Sequence, residues 1–302
     1  MRPRADHLPV LSNEVLEYLA REPELLPGGV YVDLNIGQGG HAALVAARFQ
    51  PRVIVGIDAD PEAIAIASDR LKGAAPVVRL FQAWSDEVGE ILDRERTGPI
   101  AGALFDLGLR SDQLERSGRG FSFRADEPLD MRMGPTAGTT AAELVNGLPE
   151  ADLAETIFVL GEDRHSRRIA RAIVERRAVA PFASSADLAD VIRGAVPAAA
   201  RHAKTHPATK TFQALRIAVN GELSRFRRAL DQVWDRLAPE GKLLAITFHS
   251  LEDGAAKRFL AGKAAAGEGA LLAKKPVAPS ESEIAANPRS RSAKLRAARR
   301  IR

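Results

Sequence analysis

Cysteine is absent from the chain. That excludes disulfides, thiolate metal sites, all-cysteine iron–sulfur clusters and any cysteine nucleophile, and it fits a reducing compartment. Long apolar runs are also missing: none approaches the roughly 18 to 20 residues that span a bilayer. The opening stretch, "MRPRADHLPVLSNEVLEYLA", carries charges but neither an apolar signal core nor a small-residue cleavage site. A soluble cytoplasmic protein without a membrane segment is therefore expected, and no metal site is read from the sequence. Excess charge is small, at +4 over 302 residues, yet the basic residues are clustered. Six arginines fall within 164–177 and seven basic residues within 289–302. Local basic patches matter more than net charge when the partner is a polyanion. With 45% hydrophobic and 27% charged residues, the composition is that of a globular protein of one large or two moderate domains.

The first third alternates strand and helix. "GVYVDL" (29–34), "RVIVGID" (52–58), "PVVRLF" (76–81) and "IAGALFDLG" (100–108) read as strands. Helices follow the glycine turn at 39–49 and Asp60, where Asp60 caps and Pro61 takes the first helical position. Such alternation predicts a parallel sheet with helices on both faces, binding its ligand beyond the carboxyl ends of the strands. Asp33, Asp58 and Asp106 stand at three such ends. From about 114 to 210 strand signals vanish and short helices take over. A long amphipathic helix (about 211–237) then leads to a further buried strand, "KLLAITF" (242–248). The expected organisation is an α/β core of residues 1–113 and 211–302 carrying an all-helical insertion at 114–210. The stretch "AGKAAAGEGA" (261–270) reads as a mobile loop.

Within "VDLNIGQGGHAALVA" (32–46), Gly37, Gly39 and Ala42 satisfy the loose dinucleotide pattern G-x-G-x-x-G/A. The same loop could merely turn a corner. Asp58, about twenty residues on, is placed to accept ribose hydroxyls. Asp33, four residues before Gly37, leans away from NAD, because D-x-x-x-G-x-G resembles the first motif of S-adenosylmethionine-dependent methyltransferases. A P-loop is excluded, since neither Gly241-Lys242 nor Gly262-Lys263 is followed by Ser or Thr. In "FDLGLRSDQLERSGRGFSFRADEPLDMRM" (105–133), Phe121 and Phe123 sit among charges. They could stack a splayed base or cover a domain joint. Lys204, His206 and Lys210 precede or open a helix, where cations can meet phosphate, though a solvated loop would look the same. His249 and Ser250 stand at a strand end, but no G-x-S-x-G elbow makes them a hydrolase triad. Arg164, Arg168 and Arg171 share one helix face, either a solvent stripe or a polyanion contact.

Taken together, "HLPVLSNEVLEYL", "GIDADPEAI", "RGFSFRADEPLDMRM", "HPATKTFQALRIAVNGEL", "FHSLED" and "KKPVAPSESEIAANPRSRSAKLR" resemble the bacterial 16S ribosomal RNA cytosine-N4 methyltransferases over nearly the whole chain. The resemblance implies a Rossmann-like class I S-adenosylmethionine-dependent methyltransferase sheet with an inserted helical domain that recognises substrate. It implies S-adenosylmethionine held by Asp33, Gly37, Gly39, Gly40 and His41, with Asp58 on the ribose. Trp84 would lie by the adenine, where the family usually has Phe, and Asp106 and Gln113 would complete the pocket. Asp106 would be catalytic. Phe121, Phe123, Arg168, Arg171, Lys204, His206, Lys210, His249 and Ser250 would face RNA, with 16S RNA of the small ribosomal subunit as partner. The oligomeric state stays open, a homodimer being one option.

Two departures stand out. The glycine loop has Asn35 where the family has threonine. The turn after Asp106 reads "DLGLRSDQ" rather than D-L-G-V-S-S-P-Q, so Arg110 and Asp112 replace a serine and a proline. The absence of cysteine fits transfer to nitrogen or oxygen rather than to carbon 5 of a pyrimidine. The expected step is direct displacement by N4, and an unperturbed Asp near pKa 3.9 would be a weak base for its proton. Two alternatives remain at this point: an NAD-dependent oxidoreductase, and an RNA-binding or ribosome-assembly relative whose catalysis was weakened by the "RSD" change.

Overall fold

A computed structural model describes residues 9–22, 28–110, 113–114, 117–134, 138–201 and 205–301. The chain divides into two compact units, one within 1–108 and 223–302, the other 109–222. The division thus falls a few residues before the expected 113/114 boundary and twelve residues after 210/211.

In the first unit, β1 (Val30–Asp33), β2 (Val53–Asp58), β3 (Val77–Gln82), β4 (Ile100–Asp106), β5 (Leu237–Thr247), β6 (Gly269–Leu271) and β7 (Lys294–Arg300) form one sheet of order β3-β2-β1-β4-β5-β7-β6. The first five strands are parallel, while β7 runs antiparallel between β5 and β6. The period of two along each strand sorts side chains between two cores. Val30, Val32, Val53, Val55, Ala103, Phe105, Leu243 and Ala245 enter one. Tyr31, Ile54, Leu104, Leu244 and Ile246 enter the other. Helices α1 (Ser12–Ala20), α2 (Gly40–Phe49) and α3 (Pro61–Arg70) cover the second core. Asp60 caps α3, its side chain accepting the Glu62 amide at 3.1 Å, with Pro61 in the first turn as read from the sequence. The first core is lined by α4 (Val88–Glu95) and by helices contributed after residue 222.

The second unit is helical: α5 (Ala141–Gly147), α6 (Glu150–Gly161), α7 (Ser166–Arg177), α8 (Ser185–Ala195), α9 (Ala198–Arg201) and α10 (Ala208–Asn220). It has its own core, in which Phe121, Leu129, Met131, Ile157, Ile169, Phe182 and Phe212 meet. Gly161 lets α6 and α10 approach closely, since a Cβ there would stand 2.5 Å from the Lys210 carbonyl oxygen. Asn220 ties the 131–133 segment to α10, donating to the Met131 carbonyl and accepting the Met133 amide, each at 2.8 Å.

Two expectations are corrected, and the basic C-terminal run takes a defined place. The predicted helix at 211–237 is two helices, because Gly221 takes a left-handed φ of 62° between α10 and α11 (Glu222–Arg236). The 261–270 stretch is the end of α12 (Ser250–Ala265) followed by β6, not a loop. The basic run after Arg289, past the short α13 (Glu281–Ala286), supplies β7, whose Leu295, Ala297 and Ala298 are buried. Its cations are largely spent within the fold. Arg296 and Lys294 bond Asp253, Arg299 pairs with Glu240, and Arg300 donates to the carbonyls of Trp234, Asp235 and Leu237.

Candidate active site

Strand order reverses direction between β1 and β4, and a doubly wound sheet opens its ligand crevice at that point. Asp33 ends β1 and Asp106 ends β4, so they flank the reversal. The loop after β1 is held by its glycines and by Asp58. Gly37 (φ 51°) and Gly39 (φ 75°) take left-handed backbone that favours glycine. Asp58 at the end of β2 accepts the Gly37 amide through Oδ2 and the Asp60 amide through Oδ1, both at 2.9 Å. An ionised carboxylate has about four lone-pair sites, so Asp58 can shape the loop and still accept ligand hydroxyls.

The electrostatics are those of a cation site. Asp33 is 1% exposed, and its Oδ1 is buried with no hydrogen-bond partner. Burial, then the charges of Asp106 and Asp58, push its carboxyl well above the usual range, against the lowering effect of the Asn35 amide. Asp106 is pushed up to about 7, chiefly by burial and then by the Glu252 carboxylate. Burial likewise raises the Tyr31 phenol, helped by Asp33 and Asp106. The buried oxygens of Tyr31 and Asn35 lack partners as well. His41, on the first turn of α2, stands with Nε2 3.6 Å from Asp106 Oδ2. Burial drops its imidazole to about 4, although a hydrogen bond to the Val10 backbone works the other way.

Trp84, just past β3, is nearly buried, with the Arg225 guanidinium 4.3 Å above its ring. Asp86 holds that guanidinium at 2.8 Å. His249 and Ser250 stand where β5 gives way to α12. Glu252, 3% exposed, reaches back there to accept the Phe248 amide at 2.8 Å and lies 3.1 Å from His249 Nε2. One unit therefore gathers Asp33, Gly37, Gly39, Gly40, His41, Asp58, Trp84, Asp106, His249 and Ser250 at the carboxyl edge of its sheet.

The remaining expected residues belong to the helical unit. Gln113 accepts the Arg110 amide at 3.0 Å, while Ser111 and Asp112 lie outside the described residues. Phe121 is a correction: it is 6% exposed in the helical core, so its ring is packing and not a surface for bases. Phe123 is half-buried, stacked on His206 at 4.4 Å and edge-on to Phe212. Lys210 caps α6 by donating to the Glu162 carbonyl at 2.8 Å. Lys204 lies outside the described residues. Arg168 and Arg171 are exposed on α7, with Arg171 3.9 Å from Glu150. They line a cavity of about 1200 Å³ with Arg164, Arg167 and Phe158, whose ring is 59% exposed. Arg176 and Arg177 are instead spent on Asp187 and on the carbonyls of Ala180, Val145 and Leu148.

Sequence reasoning missed Tyr31, Glu252 and Phe158. Glu252 had a signal, the S/T-x-x-E/Q-like spacing of a capping box across "FHSLED". Tyr31 and Phe158 had none, because only packing decides which aromatic is buried.

A seven-stranded sheet in this order, with an acidic glycine loop after its first strand and acidic ends on its second and fourth, defines a Rossmann-like class I methyltransferase. The profile of the MraW methylase family matches residues 4–301. A protein of Heliobacterium mobile named ribosomal RNA small subunit methyltransferase H is 44% identical over 98% of this chain and 99% of its own. Proteins of the same name from Synechococcus elongatus and Methylobacterium sp. are each 46% identical over 98% of this chain, and over 95% and 91% of their own lengths. Among solved structures, a rRNA methylase from Streptococcus thermophilus superposes over 96% of this chain at 12% identity with a TM-score of 0.46, too loose to add to the strand order. The chain belongs to the MraW methylase family.

Proposed function

We propose that the protein methylates the exocyclic N4 of a cytidine in the decoding region of 16S ribosomal RNA, using S-adenosylmethionine, on the small ribosomal subunit in the cytoplasm. The observation that carries the choice of cofactor is the carboxylate cluster. Asp33, Asp58 and Asp106 stand at neighbouring strand ends, and among the described residues no cation acts on Asp33 and no donor reaches its Oδ1. A ligand with a sulfonium and an ammonium answers both, whereas the pyrophosphate of a nicotinamide dinucleotide would add negative charge to three carboxyls. When bound, S-adenosylmethionine supplies a methyl group on a positively charged sulfur, already a good leaving group.

The residues fit that ligand. Asp33 Oδ1 and Asn35 Oδ1 are buried acceptors without donors. Gly37, Gly39 and Gly40 allow close backbone approach, Asp58 offers carboxylate oxygens as acceptors for ribose hydroxyls, and Trp84 offers an apolar wall for the adenine. His41 completes the proposed contacts of this unit.

Asp106 is then placed for the chemistry. Its carboxylate accepts a hydrogen bond from the target amino group, directing the nitrogen lone pair toward the methyl. With the methyl supplied by the bound cofactor, Asp106 would take the proton that N4 gives up on becoming methylated. A carboxyl near 7 is a competent base at neutral pH, where one at 3.9 would be a poor one. Recognition of RNA is supported by the α6–α7 cavity, where Arg164, Arg167, Arg168 and Arg171 suit phosphates and Phe158 suits an unstacked base. The test is calorimetry with S-adenosylmethionine and with NADH, followed by transfer of labelled methyl to unmodified small subunits. Binding of S-adenosylmethionine alone, with label in the RNA, supports the reading; binding of NADH without methyl transfer overturns it.

A further inference from the structure

Resting on the reading above, Asp106 ends the reaction carrying a proton, and the ring of His41 bears on where that proton goes. His41 is 5% exposed. Its ring hydrogen-bonds the Val10 backbone, and its Nε2 is buried with no hydrogen-bond partner, 3.6 Å from Asp106 Oδ2. The bond to Val10 is therefore made by Nδ1. Because that bond favours the protonated ring, Nδ1 is its donor and carries the proton of the neutral imidazole. Nε2 is left with a lone pair, 3.6 Å from a carboxyl oxygen of Asp106.

Two acceptors with no proton between them stand apart, as these do. Put a proton on Asp106 and the same pair becomes donor and acceptor, free to close to about 2.7 Å. We propose that His41 is a positioning residue for proton removal: its Nε2 accepts a hydrogen bond from Asp106 as Asp106 takes the N4 proton. Among the described residues, no other group that acts on Asp106 offers this. Asp33, from β1, is assigned to the cofactor in the reading above, and Tyr31, also from β1, is a phenol that burial keeps protonated. Glu252, from α12, has its carboxylate engaged with the Phe248 amide and His249. His41 is a neutral acceptor across the working pH range, since burial keeps its ring from charging until about pH 4.

The test separates the two ring nitrogens. His41→Asn keeps an N–H near the Nδ1 position for Val10 but offers nothing at Nε2. His41→Gln reaches the Nε2 position with a carbonyl oxygen. Single-turnover methyl transfer to unmodified small subunits is followed from pH 5.5 to 9, with S-adenosylmethionine affinity measured in parallel. A hydrogen bond to the neutral carboxyl holds its pKa up, so losing it should move the acid limb of the rate profile down by about one pH unit. The rate should fall about tenfold in His41→Asn. His41→Gln should restore the limb and most of the rate. Equal losses in both variants with an unmoved limb would overturn the proposal and leave His41 a packing residue. No transfer by the wild type would instead overturn the functional reading beneath it. An independent check uses ¹⁵N-histidine shifts in the wild type: His41 should be the Nδ1–H tautomer, and an Nε2–H tautomer would overturn the proposal without any variant.

Discussion

Asp106→Asn should abolish methyl transfer and yet stabilise the ligand-free protein, increasingly so at higher pH. The Asp106 carboxyl is raised from 3.8 to about 7 in the folded protein, first by burial and then by Glu252. In the unfolded chain it titrates near 3.9. Between those values the folded state holds a proton that the unfolded state has lost. Stability therefore falls as pH rises through this window and stays reduced above it. Some three pKa units at about 1.36 kcal/mol each put the full penalty at ~4 kcal/mol, an upper figure because buried sites relax and admit water. At pH 5 only about one unit, ~1.5 kcal/mol, is in force. Asparagine has no charge to bury, so the variant should gain ~1.5 kcal/mol at pH 5 and up to ~4 at pH 8. Thermal unfolding reads this directly, since each kcal/mol moves the midpoint by roughly 2–4 °C in domains of this size. The comparison must be variant against wild type at each pH. His41, lowered to about 4, adds stability as pH rises over much of the same window and flattens the wild-type profile. An advantage that is equal at pH 5 and pH 8, or a variant less stable at pH 8, would refute the reasoning.

Phe121→Ala should destabilise the helical unit by ~3–5 kcal/mol, because the ring is core; an unchanged unfolding midpoint with weakened RNA binding would return it to the surface. Phe158→Ala combined with Arg167→Glu and Arg168→Glu should leave stability within about 0.5 kcal/mol, these side chains being exposed, while lowering affinity for ribosomal RNA and flattening its dependence on salt. Filter binding across a salt series reads both quantities. Gly161→Ala should cost ~1–3 kcal/mol in a denaturant melt, because its Cβ would meet the Lys210 carbonyl at 2.5 Å.

The core of the site was legible because its pattern is local. Apolar runs ended by Asp33, Asp58 and Asp106, with a glycine turn after the first, mark strand ends by themselves. What the sequence hid depends on partners far along the chain. β7 did not show as a strand because its arginines look solvated until Asp253, Glu240 and the carbonyls near Trp234 are seen to receive them. Phe121 was read as a base-stacking candidate from its neighbouring charges, but burial is decided by packing, and packing puts its ring in the helical core. The basicity of Asp106 was out of reach for the same reason: Glu252 stands 146 residues later, and burial has no signature in "LFDLG". The break at Gly221 was visible as a residue but not as a helix end, since an isolated glycine inside a helical pattern can be tolerated as well as cap it.

The central claim, methyl transfer to cytidine N4 through Asp106, is tested most directly by product analysis. Purified protein and S-adenosylmethionine are incubated with small subunits lacking the modification, the RNA is digested to nucleosides, and N4-methylcytidine is sought by mass spectrometry beside an Asp106→Ala control. The account predicts that nucleoside with the wild type and its loss in the control. A methyl group on any other atom, an undiminished signal in the control, or no product despite bound cofactor would contradict it.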